Sequence, residues 1–484
     1  MVIIPGIIFL IILAPLAVGS VHIVTYSAAE LIIFSLLLIH VVTYSPADGP
    51  GLASPAFRFP TSGLGLFSLF FPLLLFLLFV LFQMVPLPVT IVRFLSPNTF
   101  GLYENLGLLS GHGTTGAVTS PYIPLSLSIH GTSVAFLKWA AYGALFFIIT
   151  TYRPTGPALE GTRWIAILVL SVILIGFVEA LYGLFAYVND PDALLWFTRT
   201  HRSYSNRVAG TYVNPNHLAG LMNITIPLAV AFFVSFAGSV RRGKGRARNV
   251  IIELAASGKA IMSYLLLFSI ILMVLALIFS GSRMGQFAFF CGLAATAMLS
   301  VFRGARKGQQ RVSPRLLLIA IGCLSIAVLW GAWKGLDPVI ERWGTAGQEL
   351  TEARTILWET TKPLIRDFPV TGTGFGTYEL AYRSYQPESF GTTLYDHAHN
   401  DYLQVLAETG WIGFVLWLAF FALFLVRVII KWFQNTDPFS VAIGAGGIAA
   451  TIALLVHSFG EFNLQIPANA LLLFVVMAIT WRTV

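Results

Sequence analysis

Charge is what this sequence has least of. Of its 484 residues only 10% are Asp, Glu, Lys or Arg, where an ordinary soluble domain carries roughly 25%, so most of the chain is excluded from water. Cysteine is rarer still. Cys291 and Cys323 fall inside hydrophobic segments, read as small buried apolar residues, and carry no information on redox compartment. The first apolar stretch, Val2 to Val18, has no basic residue ahead of it. Lacking the charged start of a signal peptide, it is expected to stay as a first membrane span. Internal repeats and low-complexity tracts are absent, and the Pro-, Gly- and Ser-rich stretch 45–63 reads as a plain loop.

What fills the chain instead is hydrophobic sequence, 57% of it, in blocks long enough to cross a bilayer, which takes about 20 apolar residues at helical rise. Leu64 to Met84, Trp164 to Val188, Tyr264 to Phe279 and Trp411 to Phe433 are clear cases. The full reading is an all-α integral membrane protein of about twelve spans, near 2–20, 27–44, 64–84, 132–151, 163–188, 216–238, 260–280, 284–302, 315–333, 411–433, 440–458 and 468–482.

The net charge of +8 raises the question of a nucleic-acid partner, and its placement answers it. Arg241, Arg242, Lys244, Arg246 and Arg248 form one cluster between spans; Arg303, Arg306, Lys307, Arg311 and Arg315 form another. Short basic loops obey the positive-inside rule, so both clusters are expected in the cytoplasm against anionic lipid, with no nucleic acid involved. Both termini then fall inside, and the segments near 85–131, 189–215, 281–283, 334–410 and 459–467 fall outside. Val89 to Leu95 carries a weak signal for lying along the membrane surface. The long outer loop 334–410 is the least hydrophobic stretch, and a loop of that length usually has a function. Within it, 351–367 reads as an amphipathic helix with Ile356, Leu357, Leu364 and Ile365 on its apolar side, ended before Pro369. A second helix starts near Asn400 or Asp401 and stops at Gly410.

Four constellations stand on the outer side. In Asp396-His-Ala-His-Asn-Asp-Tyr-Leu-Gln-Val-Leu-Ala-Glu408, two histidines and a capping Asn sit where loop becomes helix. A helix N-terminus favours phosphate and disfavours an imidazolium, and a neutral histidine there can take a proton from a hydroxyl. Capping or loop packing is the bland reading, and zinc at His-x-His a third. In Ser280-Gly281-Ser282-Arg283, an arginine at a span end suits bidentate phosphate contact or simple snorkelling to headgroups. Arg207 to Gly220 starts a span at Asn214-Pro215-Asn216 after Arg199, Arg202 and Arg207, either meeting an anion or anchoring the interface. His457 to Asn463 places a His and a Glu at a span end. It is read as helix-end chemistry, with support of a site as the alternative. Gly372, Gly374 and Gly376 follow no strand, so they shape a turn rather than a dinucleotide loop.

Together these pieces resemble the O-antigen ligase and polymerase family of bacterial membrane glycosyltransferases. The resemblance rests on Arg207-x-x-Gly-Thr-x-x-Asn-Pro-Asn216, on Ser280-x-Ser-Arg283, and on the outer loop with Arg354-x-x-x-Trp358, Phe368-Pro369, Gly372 to Thr377 and His399-Asn400-x-Tyr402-Leu403 running to Glu408-Thr409-Gly410. It covers residues 200–425 and implies a GT-C-like helical fold. It implies transfer of a glycan from a polyprenyl-diphosphate donor to an acceptor hydroxyl at the periplasmic face of the bacterial inner membrane. Neither metal nor cofactor is called for. The family's catalytic histidine matches His399 and its two prominent arginines match Arg207 and Arg283. Arg354, Asn216, Asn400 and His397 complete the expected substrate-contacting set. The departing diphosphate would be met by arginines and a helix N-terminus, and one displacement would invert the anomeric carbon, without the paired carboxylates of hydrolases.

The expected organisation is a set of N-terminal membrane helices over residues 1–200, a catalytic region 201–425 including the periplasmic loop 334–410, and C-terminal membrane helices over residues 426–484. A ligase reading leads, and the acceptor is a glycan, a glycolipid or a protein Ser or Thr. A repeat-unit polymerase or protein O-oligosaccharyltransferase is the alternative within the class. A transporter of lipid-linked glycans is the alternative outside it. That last reading asks for ionisable residues deep in several spans, and only Lys138 and Glu179 answer.

Overall fold

A computed structural model describes residues 2–43, 63–106, 121–154, 161–190, 193–195, 197–198, 206–240, 260–306 and 347–484. Arg199, Arg202, Cys323, the cluster 241–248 and the expected span 315–333 lie outside the described residues. In a bilayer every backbone N–H and C=O must be satisfied within the chain, so apolar runs become helices. The helices are α1 (Ile3–Leu16), α2 (Ile23–Thr43), α3 (Gly63–Met84), α4 (Val89–Leu95), α5 (Pro97–Asn105), α6 (Ile129–Thr151), α7 (Arg163–Asn189), α8 (Pro215–Val240), α9 (Ala260–Phe279), α10 (Arg283–Arg306), α11 (Gly347–Asp367), α12 (Tyr378–Tyr382), α13 (Asp401–Gln434), α14 (Pro438–His457) and α15 (Pro467–Thr483). Strand structure among the described residues is limited to two-residue pairs, Leu87–Pro88 with Tyr122–Ile123 and Ala193–Leu194 with Phe197–Thr198.

The fold is an all-α, multi-pass membrane protein. Among the described residues eight helices are long and apolar enough to cross a membrane: α2, α3, α6, α7, α8, α9, α13 and α14. α1 and α15 are apolar but shorter, and α10 is a full-length helix of lower hydropathy. The first span is shorter than the expected 2–20. Val18, Gly19 and Ser20 all take positive φ, which no right-handed helix accepts, so the chain turns there.

α15 is the axis of the bundle. Every residue from Pro467 to Thr480 is buried, as expected of a helix that is apolar on all sides. It packs against α1, α6, α7, α8 and α14. Beside it an aromatic cluster of Trp139, Phe146, Phe420, Phe421 and Phe474 interlocks mostly edge to face. α14 comes close to α8 because Gly446 has no side chain: a Cβ there would stand 2.8 Å from the Pro227 carbonyl oxygen.

Several of the described connecting segments meet at one end of the bundle. α11 shows the expected amphipathic pattern, with Leu357 and Leu364 buried, although Ile356 faces outward. α13 breaks where expected, at Gly410 with φ 58°. The three-glycine run is a turn laid on the start of α13. Gln83 at the end of α3 holds it, donating to the carbonyls of Thr371 (2.7 Å) and Glu408 (3.0 Å) and accepting from Phe375 N–H (3.1 Å). α4 and α5 lie across the same end, tied to α11 by Asn98 Nδ2 donating to the Asp367 carbonyl at 2.7 Å. α4 leaves Phe94 84% exposed, with Arg93 over the Phe100 ring, the composition of an interfacial helix.

Gly372 has φ 67°, and a Cβ on it would run into the Glu408 carbonyl group. Gly372→Ala is expected to destabilise the protein by more than about 1 kcal/mol. Gly101→Ala, in open space within α5, should not. Thermal unfolding of the detergent-purified variants checks both, and equal melting of the two would refute the turn's role.

Candidate functional site

The site assembles around the turn between α14 and α15. Asp401, first residue of α13, holds that turn in place: its N–H donates to the Ser458 carbonyl at 2.9 Å and its Oδ2 accepts from Leu464 N–H at 3.0 Å. At the same helix start Asn400 is the cap, with Oδ1 accepting from Tyr402 N–H (3.0 Å) and Leu403 N–H (3.1 Å). The residue before it, His399, has φ 48°. A left-handed non-glycine residue costs on the order of 1–3 kcal/mol unless its surroundings impose it.

What imposes it is Glu461, only 1% exposed. Its Oε1 accepts from His399 Nδ1 at 2.6 Å. Its Oε2 accepts from Arg354 Nη2 at 2.7 Å and from Asn216 Nδ2 at 2.6 Å. Arg354 Nη1 also donates to the Gly460 carbonyl at 2.9 Å. Behind Asn216, its Oδ1 accepts from Arg207 Nη2 at 2.7 Å, and Arg207 Nε donates to the Ser280 carbonyl at 2.6 Å. One carboxylate therefore joins the start of α8, the middle of α11, the loop before α13 and the turn before α15. Burial pushes the Glu461 carboxyl up, but the Arg354 guanidinium and the hydrogen-bonded His399 outweigh it and hold the group well below the usual carboxylate range.

With Nδ1 donating to a carboxylate, the His399 ring keeps its Nε2 lone pair free for a proton. His399 retains 18% side-chain exposure and Arg354 30%, so these two can reach a substrate while Glu461 cannot. Arg207 is buried within the frame. Arg283, half-buried, opens α10 on the turn whose Ser280 carbonyl receives Arg207. His397 points elsewhere. It stacks on Phe462, centroids 4.3 Å apart, and its Nδ1 meets the Gln404 amide; burial pushes it below the ordinary imidazole range. The Phe462 ring also receives the edges of His217 and His399. Among the described residues no group of three or more His, Cys, Asp or Glu is arranged to hold a metal ion.

The sequence-expected residues His399, Arg354, Asn216 and Arg207 thus form one connected network, with Arg283 beside it and His397 and Asn400 supporting its loop. Sequence reasoning undervalued Glu461, read as helix-end chemistry, and did not single out His217 or Phe462. The available signal was a lone carboxylate next to a span end in a chain nearly free of charge.

It also left Glu179 unexplained. This residue of α7, fully buried, accepts from Thr211 N–H at 2.8 Å on Oε2 and contacts Thr211 Oγ1 at 2.7 Å through Oε1. Thr211 Oγ1 lies 2.8 Å from the Pro15 carbonyl as well. A carbonyl cannot donate and a hydroxyl has one proton. Both contacts are made only if Thr211 donates to Pro15 and Glu179, as the neutral acid, donates to Thr211, which also avoids burying a charge. Glu179 thereby fixes the Gly210-Thr211 turn that carries Arg207.

Residues 268–418 match the family model described as O-Antigen ligase. The chain carries an O-antigen ligase family region. The matched segment contains the Ser280 to Arg283 turn, Arg354, His397, His399 and Asn400, and the match places the chain in glycosyl transfer during polysaccharide assembly. No curated protein matches the sequence.

Two outcomes test the geometry of this site. Because the folded Glu461 value is depressed, its stabilisation is fully present above the ordinary glutamate value and lost as pH falls from there through the depressed one. The melting-temperature advantage of wild type over Glu461→Gln should follow that course, and an advantage that grows on acidification refutes it. Glu179→Gln reproduces the neutral acid's donor and acceptor and should melt like wild type, whereas Glu179→Leu strands Thr211 N–H and should lose about 1–3 kcal/mol. A Gln variant as damaged as the Leu one means that Glu179 is ionised.

Proposed function

We propose that this protein is a glycan ligase facing the periplasm from the bacterial inner membrane, transferring a glycan from a polyprenyl-diphosphate donor to an acceptor hydroxyl. The observation that carries the reading is the Glu461 junction. It holds a histidine with a free ring nitrogen and an exposed arginine on one carboxylate.

In this mechanism Glu461 orients His399 and stays anionic, while His399 Nε2 removes the acceptor proton. The acceptor oxygen forms its bond to the anomeric carbon as the bond from that carbon to the diphosphate oxygen breaks, its electron pair leaving with the diphosphate. A single displacement inverts the centre. Arg354 and Arg283 meet the charge growing on the leaving group, and Arg207, locked behind Asn216, adds to the field they work in. No step calls on a metal. His397 and Asn400 shape the loop that carries His399. The catalytic region 201–425 then receives its buried carboxylate from the C-terminal helices. A repeat-unit polymerase and a protein O-oligosaccharyltransferase would share this chemistry; the description of the matched family favours the ligase reading.

Reconstituted protein with a polyprenyl-diphosphate glycan and candidate acceptors tests the proposal. His399→Ala is expected to lower kcat by about 10²–10⁴ with donor binding retained, and Arg354→Gln to weaken donor binding and turnover together. Undiminished transfer by His399→Ala would end the assignment of the base. Loss of activity with a chelator, restored by zinc, would point instead to metal at His397 and His399.

A further inference from the structure

At the end of the bundle opposite Glu461, three cations converge from three elements. Arg153 follows α6, Lys431 lies in the last turn of α13, and Arg482 lies near the end of α15. They act on one another, the charge of Arg482 bearing on Lys431 and that of Arg153 on Arg482. Among the described residues no carboxylate forms an ion pair with any of them. The acid next along the chain, Asp437, caps α14 by accepting from Ser440 N–H.

Lys431 and Arg482 are not simply extended into water. Arg482 Nη1 donates to the Thr150 carbonyl at 3.3 Å and its guanidinium lies over the Trp164 ring, but its Nε is buried with no partner. Lys431 Nζ sits 3.9 Å from the centroid of Trp481. A buried guanidinium N–H left unsatisfied costs free energy that a ligand acceptor would recover. Like charges drawn together, with no acid paired to them among the described residues, call for an anion. A planar guanidinium beside an ammonium fits the oxygens of a phosphate. On the same helix as Lys431, Val426 and Ile430 are more than half exposed and offer apolar surface beside it for acyl chains.

We propose that Arg153, Lys431 and Arg482 form a site for the phosphate of an anionic phospholipid, at the membrane face opposite the transfer site. The occupant is a lipid rather than free phosphate because Lys431 and Arg482 sit on aromatic rings at the ends of apolar helices, where a headgroup lies. The proposal is independent of the transfer chemistry.

Native mass spectrometry of the full-length protein, titrated with phosphatidylglycerol, phosphatidylcholine or glycerol phosphate, tests it. Phosphatidylglycerol should be retained selectively. Lys431→Gln and Arg482→Gln should each weaken that retention about fivefold, Arg482→Lys should weaken it less, and Arg383→Gln, an exposed arginine paired with Glu379, should change nothing. Equal retention of the two lipids by the wild type overturns the proposal and needs no variant. So does glycerol phosphate binding as tightly as the lipid, or undiminished retention in folded Lys431→Gln/Arg482→Gln protein.

Discussion

A carboxylate with 1% of its surface exposed has no water to stabilise it, and the arrangement around Glu461 follows from that constraint. An unpaired ion in such a place costs several kcal/mol, so the chain must bring it donors. It brings three: His399, Arg354 and Asn216. They come from well-separated stretches of the sequence, up to 245 positions from Glu461. Satisfying one oxygen pair therefore closes the loops at this end of the bundle upon each other. The left-handed backbone at His399 is held by the same contact, so conformational strain and electrostatic demand are met in one place.

Rigid support surrounds that junction. Asp401 and Asn400 use the first turn of α13 to fix the turn before α15 and the loop before it, while Gln83 fixes the glycine turn against Glu408. Further back, Glu179 holds Thr211 and hence the segment leading to Arg207 and Asn216. The groups able to touch a substrate, His399 and Arg354, thus sit on elements whose own polar groups are already committed. Such pre-arrangement removes the need to reorganise when charge develops on a leaving group.

Much of this architecture was legible in the sequence, and the limits have physical causes. Span positions were readable because hydrophobic length is a local property; α6, α7, α13 and α14 stand close to their expected places. The break at Gly410 and the cap at Asn400 were readable for the same reason. The ends of α1 were not, because the turn at Val18 to Ser20 answers to packing: Gly19 lies against Tyr212. His399, Arg354, Asn216 and Arg207 could be named from motif order. Their common partner could not, since nothing local distinguishes a carboxylate that caps a helix from one that gathers residues 62, 107 and 245 positions away. Glu179 posed the same problem, as its partners Thr211 and Pro15 meet only in three dimensions.

The amphipathic pair α4–α5 has a consequence for how the bundle rides in its membrane. Phe94 is 84% exposed and Arg93 lies over the Phe100 ring, so that a pair resting at the headgroup layer would act as a float that marks a waterline. Its Asn98 bond to the end of α11 makes that float belong to the same frame that carries Arg354 to Glu461. The elevation of the histidine above the acyl region is then set by where Phe94 comes to rest. A thinner or thicker bilayer would move the float and the site together, keeping their offset constant while the far end of the bundle absorbs the mismatch.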